Sequence, residues 1–376
     1  MDFSLSETQE MLKKTARDFL STECPTSVVK KLEQQGEDKA YLQQLWRKMA
    51  ELGWLGLPFP EQYGGTGGNF ADLVILLEEM GAVCLPGPYF STVVLGGMAI
   101  MEAGREEQKK RLLAEVTKGD CILTVAINEP DARYTPDSIM VSASKKGDNY
   151  VIKGTKLFVP DAHVANYIIC VARTGNGEKD ISLLILDAKS AGVKLTPLVT
   201  SIHDSQFEVT FSEVEVTESA ILGEVNQGWE AVEKLLQKAN AAKCAEMMGG
   251  AQRVLEMTTE YAKQRVQFDH PIGSFQSVQH HLSNMLIDVE GSRWMTYQAC
   301  CLISEGIPCQ FEVSAAKAWV SEAYRRVTAL GQQIHGGVGF ILDHDMPLYY
   351  KRAKQWESLF GDSDSHRELV ARELGM

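Results

Sequence analysis

The chain has 376 residues, 44% apolar and 23% charged, which allows two or three structural units around more than one core and is too ordinary a balance for a disordered or low-complexity protein. Its formal charge of −13, with no Lys/Arg cluster interleaved with aromatics, argues against a nucleic-acid partner, because a phosphate backbone would be repelled. From Ser4 to about Gly119 the pattern is helical, with Ser6 or Thr8 as caps and Met11, Leu12, Ala16, Phe19 and Leu20 at helical spacing. A second helix spans Tyr41 to Gly53, the Pro/Gly loop GLPFPEQYGGTGG follows over 56–68, and another helix runs from Asn69 to Met80. Between about Asp120 and Glu230 the period changes to two: CILTVAI, IMVSAS, YVIKGTKLFV, YIICVAR, SLLILD, VKLTPL and FEVTFSEVEV are strands of a barrel or sandwich. From about Gly228 long helices return over Trp229–Arg265, Ser277–Glu305 and Glu312–Gln333, lengths that usually bundle. The reading is an α+β multidomain protein with a helical domain 1–119, a β-domain 120–228 and a helical bundle 229–376.

The N-terminal MDFSLSETQEMLKKTARDF lacks the basic region and apolar run of a signal peptide, and no stretch approaches eighteen uninterrupted apolar residues. The sequence therefore predicts a cytoplasmic protein away from membranes. Eight cysteines (24, 84, 121, 170, 244, 300, 301, 309) form no CxxC pair and several sit in apolar runs, so they read as buried free thiols. His280 and His281 point about 100° apart on a helix, and Asp343-His344-Asp345 has no second cluster at ligand spacing, so no metal site is expected. Absence of GxSxG, Walker and GxGxxG-after-strand motifs leaves hydrolase, P-loop and nicotinamide-Rossmann readings without support.

Six pieces in order carry a resemblance over essentially the whole chain: FSLSETQ, ELGWLGLPFPEQYGGTGG, the AGREEQKKRLL helix, the NEP turn, YAKQRVQFDHPIGSFQSVQHHLSNM and QQIHGGVGF. Together they resemble the acyl-CoA dehydrogenase family. The resemblance implies an N-terminal helical domain, a central β-domain and a C-terminal four-helix bundle, with FAD and an acyl-CoA substrate held between the last two, usually in a homotetramer. It also implies that Arg265, Gln267 and Phe268, followed by Gln276, reach the FAD of a neighbouring subunit, the guanidinium suiting a pyrophosphate. Gln333, Gly336 and Gly337 would approach the adenosine end, glycines serving where backbone comes close to a ligand. Pro88, Ser91, Tyr134 and Gly249 are the implied substrate contacts.

The central motifs depart from the family pattern. Where members commonly read Thr-Glu-Pro-x-x-Gly-Ser-Asp, the run here is Asn128-Glu129-Pro130-Asp131-Ala132-Arg133-Tyr134-Thr135, so Tyr134 replaces the serine. Where Trp-Ile-Thr is usual, Phe158-Val159-Pro160 stands; Phe158 offers an apolar face to the flavin, but proline lacks both hydroxyl and N–H.

The usual base is missing as well. Leu359-Phe360-Gly361-Asp362-Ser363 stands where the commonest members carry Tyr-Glu-Gly-Thr-Ser, and a phenyl ring cannot take an α-proton. An alternative family position falls at Ala239, beside Asn240 in place of an arginine. Three carboxylates remain as candidates: Glu246, two turns further along that helix and read as a lone carboxylate in a dry setting, and Asp362 and Asp364, which are also placed to cap the last helix. The first functional reading is α,β-dehydrogenation of a CoA thioester with a cyclic, aromatic, steroid-derived or dicarboxylic acyl group, with electrons passing to an electron-transfer flavoprotein. Two alternatives stand beside it: a partner subunit of a heteromeric family complex, homotetramer then giving way to heterotetramer, and a redox-neutral or 1,4-type flavoenzyme on the same fold.

Overall fold

The protein is described from a computed structural model, which describes residues 5–35, 39–202 and 204–376. Phe3 and Ser4 of the FSLSETQ motif lie outside the described residues. The order helical, β, helical is observed. The first helices are α1 (Glu7–Glu23), α2 (Thr26–Gln35), α3 (Lys39–Glu51) and α4 (Phe70–Val83), followed by a π-helical segment Phe90–Gly97 that runs into α5 (Met98–Ala103), and then the short α6 (Glu106–Gln108) and α7 (Ala114–Thr117). The strands are β1 (Leu123–Ala126), β2 (Ser142–Lys146), β3 (Asn149–Pro160), β4 (Tyr167–Arg173), β5 (Ile181–Asp187), β6 (Val193–Leu198), β7 (Gln206–Thr217) and β8 (Ile221–Leu222). Then come α8 (Gly228–Gln264), the hairpin β9 (Val266–Gln267) and β10 (His270–Pro271), α9 (Gln276–Ser304), α10 (Gln310–His335), α11 (Met346–Trp356) and α12 (Ser363–Glu373).

By compactness the chain forms two units, each assembled from separate segments: one from 1–37, 70–85 and 240–376, the other from 38–69 and 86–239. In the first, Ser6 rather than Thr8 caps α1, through a capping box with Gln9 (Gln9 N to Ser6 Oγ 3.3 Å, Ser6 N to Gln9 Oε1 3.1 Å). Glu78 on α4 is buried where three helices meet, and Lys13 of α1 and Arg293 and Tyr297 of α9 all donate to it at 2.7 Å. Those partners outweigh desolvation and hold the Glu78 pKa below its ordinary value. Arg17 forks onto Glu79 at 2.8 and 3.0 Å. Helices α4 and α8 touch through glycines: a Cβ on Gly81 would lie 2.0 Å from the Glu246 carbonyl oxygen, and one on Gly249 would lie 1.8 Å from that of Glu78. All eight cysteines are free, and seven are buried; burial pushes the thiols of Cys84, Cys121, Cys170 and Cys244 up to about 12.

In the second unit the strands make one sheet in the order β6-β7-β3-β2-β4-β5-β8, with β1 parallel to β4. Alternation along the strands buries Val141, Ile152, Ile168, Cys170, Leu184 and Phe211 in one cluster. The π-helical segment lies against β1, where Gly96 leaves room for Leu123, whose side chain would be 2.4 Å from an added Cβ. The long strand β3 shifts register against β7 twice, between Ile152 and Gly154 and between Lys156 and Val159. The second shift sets the direction of Phe158, because a bulge re-aims the side chains beside it.

Candidate active site

Candidate residues occur in both units and are described unit by unit. In the second unit the turn 127–129 is fixed from several sides. Lys156, wholly buried on β3, donates to the Ile127 carbonyl and to Glu129 Oε1, both at 2.8 Å. Glu129 also accepts from the Met140 and Val141 amides at 2.9 and 3.0 Å, and the Asn128 carbonyl accepts from Leu157 N at 2.8 Å. Burial lowers the Lys156 pKa, with Cys170 and Glu129 opposing it. Asn128 Nδ2 donates to the Tyr134 hydroxyl at 2.8 Å, while its Oδ1 is buried without a hydrogen-bond partner. The bulge puts Phe158 at φ 54° and leaves it 46% exposed, and the Pro160 carbonyl accepts from Thr124 Oγ1 at 2.6 Å.

Two of the expected substrate contacts in this unit are buried. Ser91 is 1% exposed, its hydroxyl 2.5 Å from Asp161 Oδ2 and 3.1 Å from the Pro88 carbonyl. Pro88 is itself buried and accepts from Thr92 N at 2.9 Å. Both lie at the start of the π-helical segment and hydrogen-bond there.

In the first unit α8 ends at Gln264 and the chain turns through the β9–β10 hairpin. Its two turn residues, Phe268 and Asp269, both have positive φ (55° and 64°), a conformation that two-residue hairpins usually give to Asn-Gly. Phe268 is 87% exposed, and Arg265, Gln267 and Gln276 are exposed beside it. At the far end of α10, Gln333 is exposed and Gly336 has φ 61° and ψ −139°; a Cβ on Gly336 or Gly337 would meet nothing within 4 Å. The adjoining His335 is buried, stacks on Tyr261 at 4.4 Å and has its pKa lowered by that burial.

The turn between α11 and α12 carries the position of the missing base. Phe360 has φ 59° and Gly361 φ 101°. Lys317, completely buried on α10, donates to the carbonyls of Glu357 at 3.0 Å and Gly361 at 2.8 Å. The Phe360 carbonyl accepts from Asn240 Nδ2 at 3.3 Å and from His366 Nε2 at 3.1 Å. Burial brings Lys317 down to about 8, and burial with the nearby Lys317 charge brings His366 down to about 4.

Of the three carboxylates, Glu246 departs from the lone setting read from sequence, Asp362 takes the capping role, and Asp364 stands at the surface. Glu246 is buried but not alone, because Lys243, one turn earlier on α8, forms an ion pair with it and lies 4.8 Å from the centre of the Trp356 ring. Asp362 is exposed and caps α12, accepting from the amide and hydroxyl of Ser365 at 2.8 and 2.7 Å. The Ser365 hydroxyl above all keeps its pKa below the carboxylate norm, opposite to what a base requires. Asp364 is 88% exposed and pairs with Arg367 at 2.8 Å. Gly249 packs directly on the backbone of α4. The buried lysines 156, 243 and 317 and His366 escaped the sequence reading; the one available signal was that Lys317 falls between Val313 and Val320 on the apolar face of its helix.

In one unit the exposed Arg265 and the open backbone at 336–337, and in the other the exposed ring of Phe158 and the buried, unpartnered Oδ1 of Asn128, are each of a chemical kind suited to a flavin dinucleotide, while Pro160 offers neither hydroxyl nor N–H. They belong to an FAD-dependent oxidoreductase. Three domain families match in series: acyl-CoA dehydrogenase N-terminal domain over residues 6–120, middle domain over 124–214 and C-terminal domain over 226–375. The chain belongs to the acyl-CoA dehydrogenase family, and its cofactor is FAD. It is 31% identical to probable acyl-CoA dehydrogenase YngJ of Bacillus subtilis, over 100% of both chains. Butyryl-CoA dehydrogenase from Megasphaera elsdenii superposes with a TM-score of 0.93 at 28% identity, covering 100% of both chains. A structure of the ChsE4-ChsE5 complex from Mycobacterium tuberculosis gives 0.89 at 30% identity, over 100% of this chain and 99% of that one. Among the described residues no helix is long and apolar enough to cross a membrane.

Proposed function

We propose that this chain is one of two related subunits of a heteromeric acyl-CoA dehydrogenase that introduces an α,β double bond into a CoA thioester, with the other subunit supplying the base. The observation that carries this reading is the state of position 360 and its substitutes: Phe360 has no proton acceptor, Glu246 is ion-paired, Asp362 is a helix cap and Asp364 stands in solvent. A similar chain solved as part of a two-component complex supports the same view. When bound, FAD supplies the hydride acceptor. The chain's own residues do the rest of the holding: Arg265 offers a cation for the pyrophosphate of a neighbouring subunit, Phe158 an apolar surface, and Asn128 an acceptor oriented by Tyr134.

The test is to purify the chain alone, and again co-expressed with a related chain bearing the usual Glu, and to record anaerobic visible spectra with a panel of CoA thioesters that includes cyclic, aromatic, steroid-derived and dicarboxylic acyl groups. Weak flavin retention alone, with full flavin and bleaching only in the co-expressed complex, is the expected result. Bleaching by the chain alone overturns the proposal and favours a second reading, a self-sufficient dehydrogenase using Glu246. The burial of Glu246, 8% exposed, is the observation on that side. Glu246→Gln would then abolish bleaching.

A further inference from the structure

We infer that Lys317, His366 and Asn240 are positioning residues that hold the 357–361 turn in one conformation and so fix where the side chain of residue 360 points. The inference rests on the reading above only for the meaning of position 360, the place of the usual base.

The turn lies between two helix ends. Glu357 is the C-cap of α11, where backbone carbonyls lack partners within the helix and the dipole favours a cation. Lys317 meets that need from a different helix and, with the same ammonium, reaches over the turn to Gly361, the residue before the cap of α12. Two further side chains hold the carbonyl between these anchors: Asn240 from α8 and His366 from α12 both donate to Phe360 O. The His366 bond needs hydrogen on Nε2, and its Nδ1 is a buried atom with no partner, which suits the neutral ring. Three side chains from three helices thus fix three carbonyls within five residues.

That degree of restraint has a backbone counterpart. Phe360 sits in the left-handed region, which a bulky non-glycine residue leaves unless its surroundings hold it there. No feature of a phenylalanine calls for the conformation. Neither Lys317 nor His366 faces a carboxylate within hydrogen-bonding distance; the charged groups acting on Lys317 are Asp362, Glu357 and Lys243, and its direct partners are carbonyls. Burying an ammonium for two carbonyls is a costly way to close a loop, and it makes sense if the direction of side chain 360 matters.

The test places 4-fluorophenylalanine at 360 by codon suppression and reads its 19F resonance, with a second reporter at Phe311 on the same unit as the control. Lys317→Met is expected to shift or split the 360 resonance and leave the 311 resonance in place, and His366→Leu to do the same, while His366→Gln, which keeps a donor, restores the parent signal. If Lys317→Met does not fold, His366→Leu and Asn240→Leu carry the decision. An unchanged 360 resonance in the folded variants overturns the inference. No acyl-CoA or partner chain enters the measurement, so its failure and the failure of the two-subunit reading are distinguishable.

Discussion

Two buried lysines, one in each unit, do the same mechanical job in different electrostatic company. Lys156 reaches the carbonyl of Ile127 and the carboxylate of Glu129, and so locks the turn that presents Asn128. Lys317 reaches only the carbonyls of Glu357 and Gly361, and locks the turn that presents Phe360. Burial lowers the pKa of both lysines, but at Lys156 the Glu129 carboxylate opposes the shift by direct contact, whereas Lys317, whose direct partners are carbonyls, is brought down to about 8. In both cases the residues that hold the turn are in place and the residue displayed on it departs from the family pattern. Holding and displaying are therefore separable in this fold.

Lys156→Met should destabilise the protein most. It leaves Glu129 buried without its cation and should cost about 3–5 kcal/mol of stability in urea unfolding; pairing it with Glu129→Gln should recover part of that. Acid should separate the two turns next. His366 takes up its proton near 6.5 in the unfolded chain and near 4 in the folded one, so the unfolded state binds more protons between those values. Stability from this residue is complete above 6.5, falls as the pH drops toward 4, and changes no further below that, a loss of about 3 kcal/mol. His366→Gln should flatten that limb relative to the parent in pH-dependent melting.

Lys317→Met is expected to cost less than Lys156→Met, about 1–3 kcal/mol, because it strands carbonyls rather than a carboxylate. Equal losses for the two lysines would erase the distinction drawn here. The smallest effect should come from Asp362→Ala, about 1 kcal/mol for a lost N-cap, seen as a modest fall in Tm with flavin content unchanged.

Much of this architecture is legible in the chain itself. The change of period from helical to alternating near Asp120 and back near Gly228 follows from local patterning, and the helix ends fall within a few residues of their caps and breakers. The π-helical stretch at Phe90–Gly97 is not legible, because its apolar residues satisfy helical spacing of either pitch. At the site the same division holds. That Phe360 cannot be a base is plain from its chemistry, but that Glu246 has a partner depends on the rotamer of Lys243, and that Gly249 serves packing depends on Glu78, which is 171 positions away. Buried lysines are hidden for a further reason: a lysine among apolar residues ordinarily bends its head to water, and only the carbonyls of a distant turn make Lys317 stay inside.

The cluster around Glu78 has a consequence for synthesis. Its partner Lys13 and Glu78 itself emerge early from the ribosome, but Arg293 and Tyr297 lie more than 200 positions later in the chain. At ordinary elongation rates of roughly 5–20 residues per second, α4 waits on the order of 10–40 s before α9 brings the remaining partners of Glu78. During that wait the surface of α4 that packs on α9 is uncovered, so a nascent chain stalled before α9 should be a better client for holdase chaperones than the finished protein.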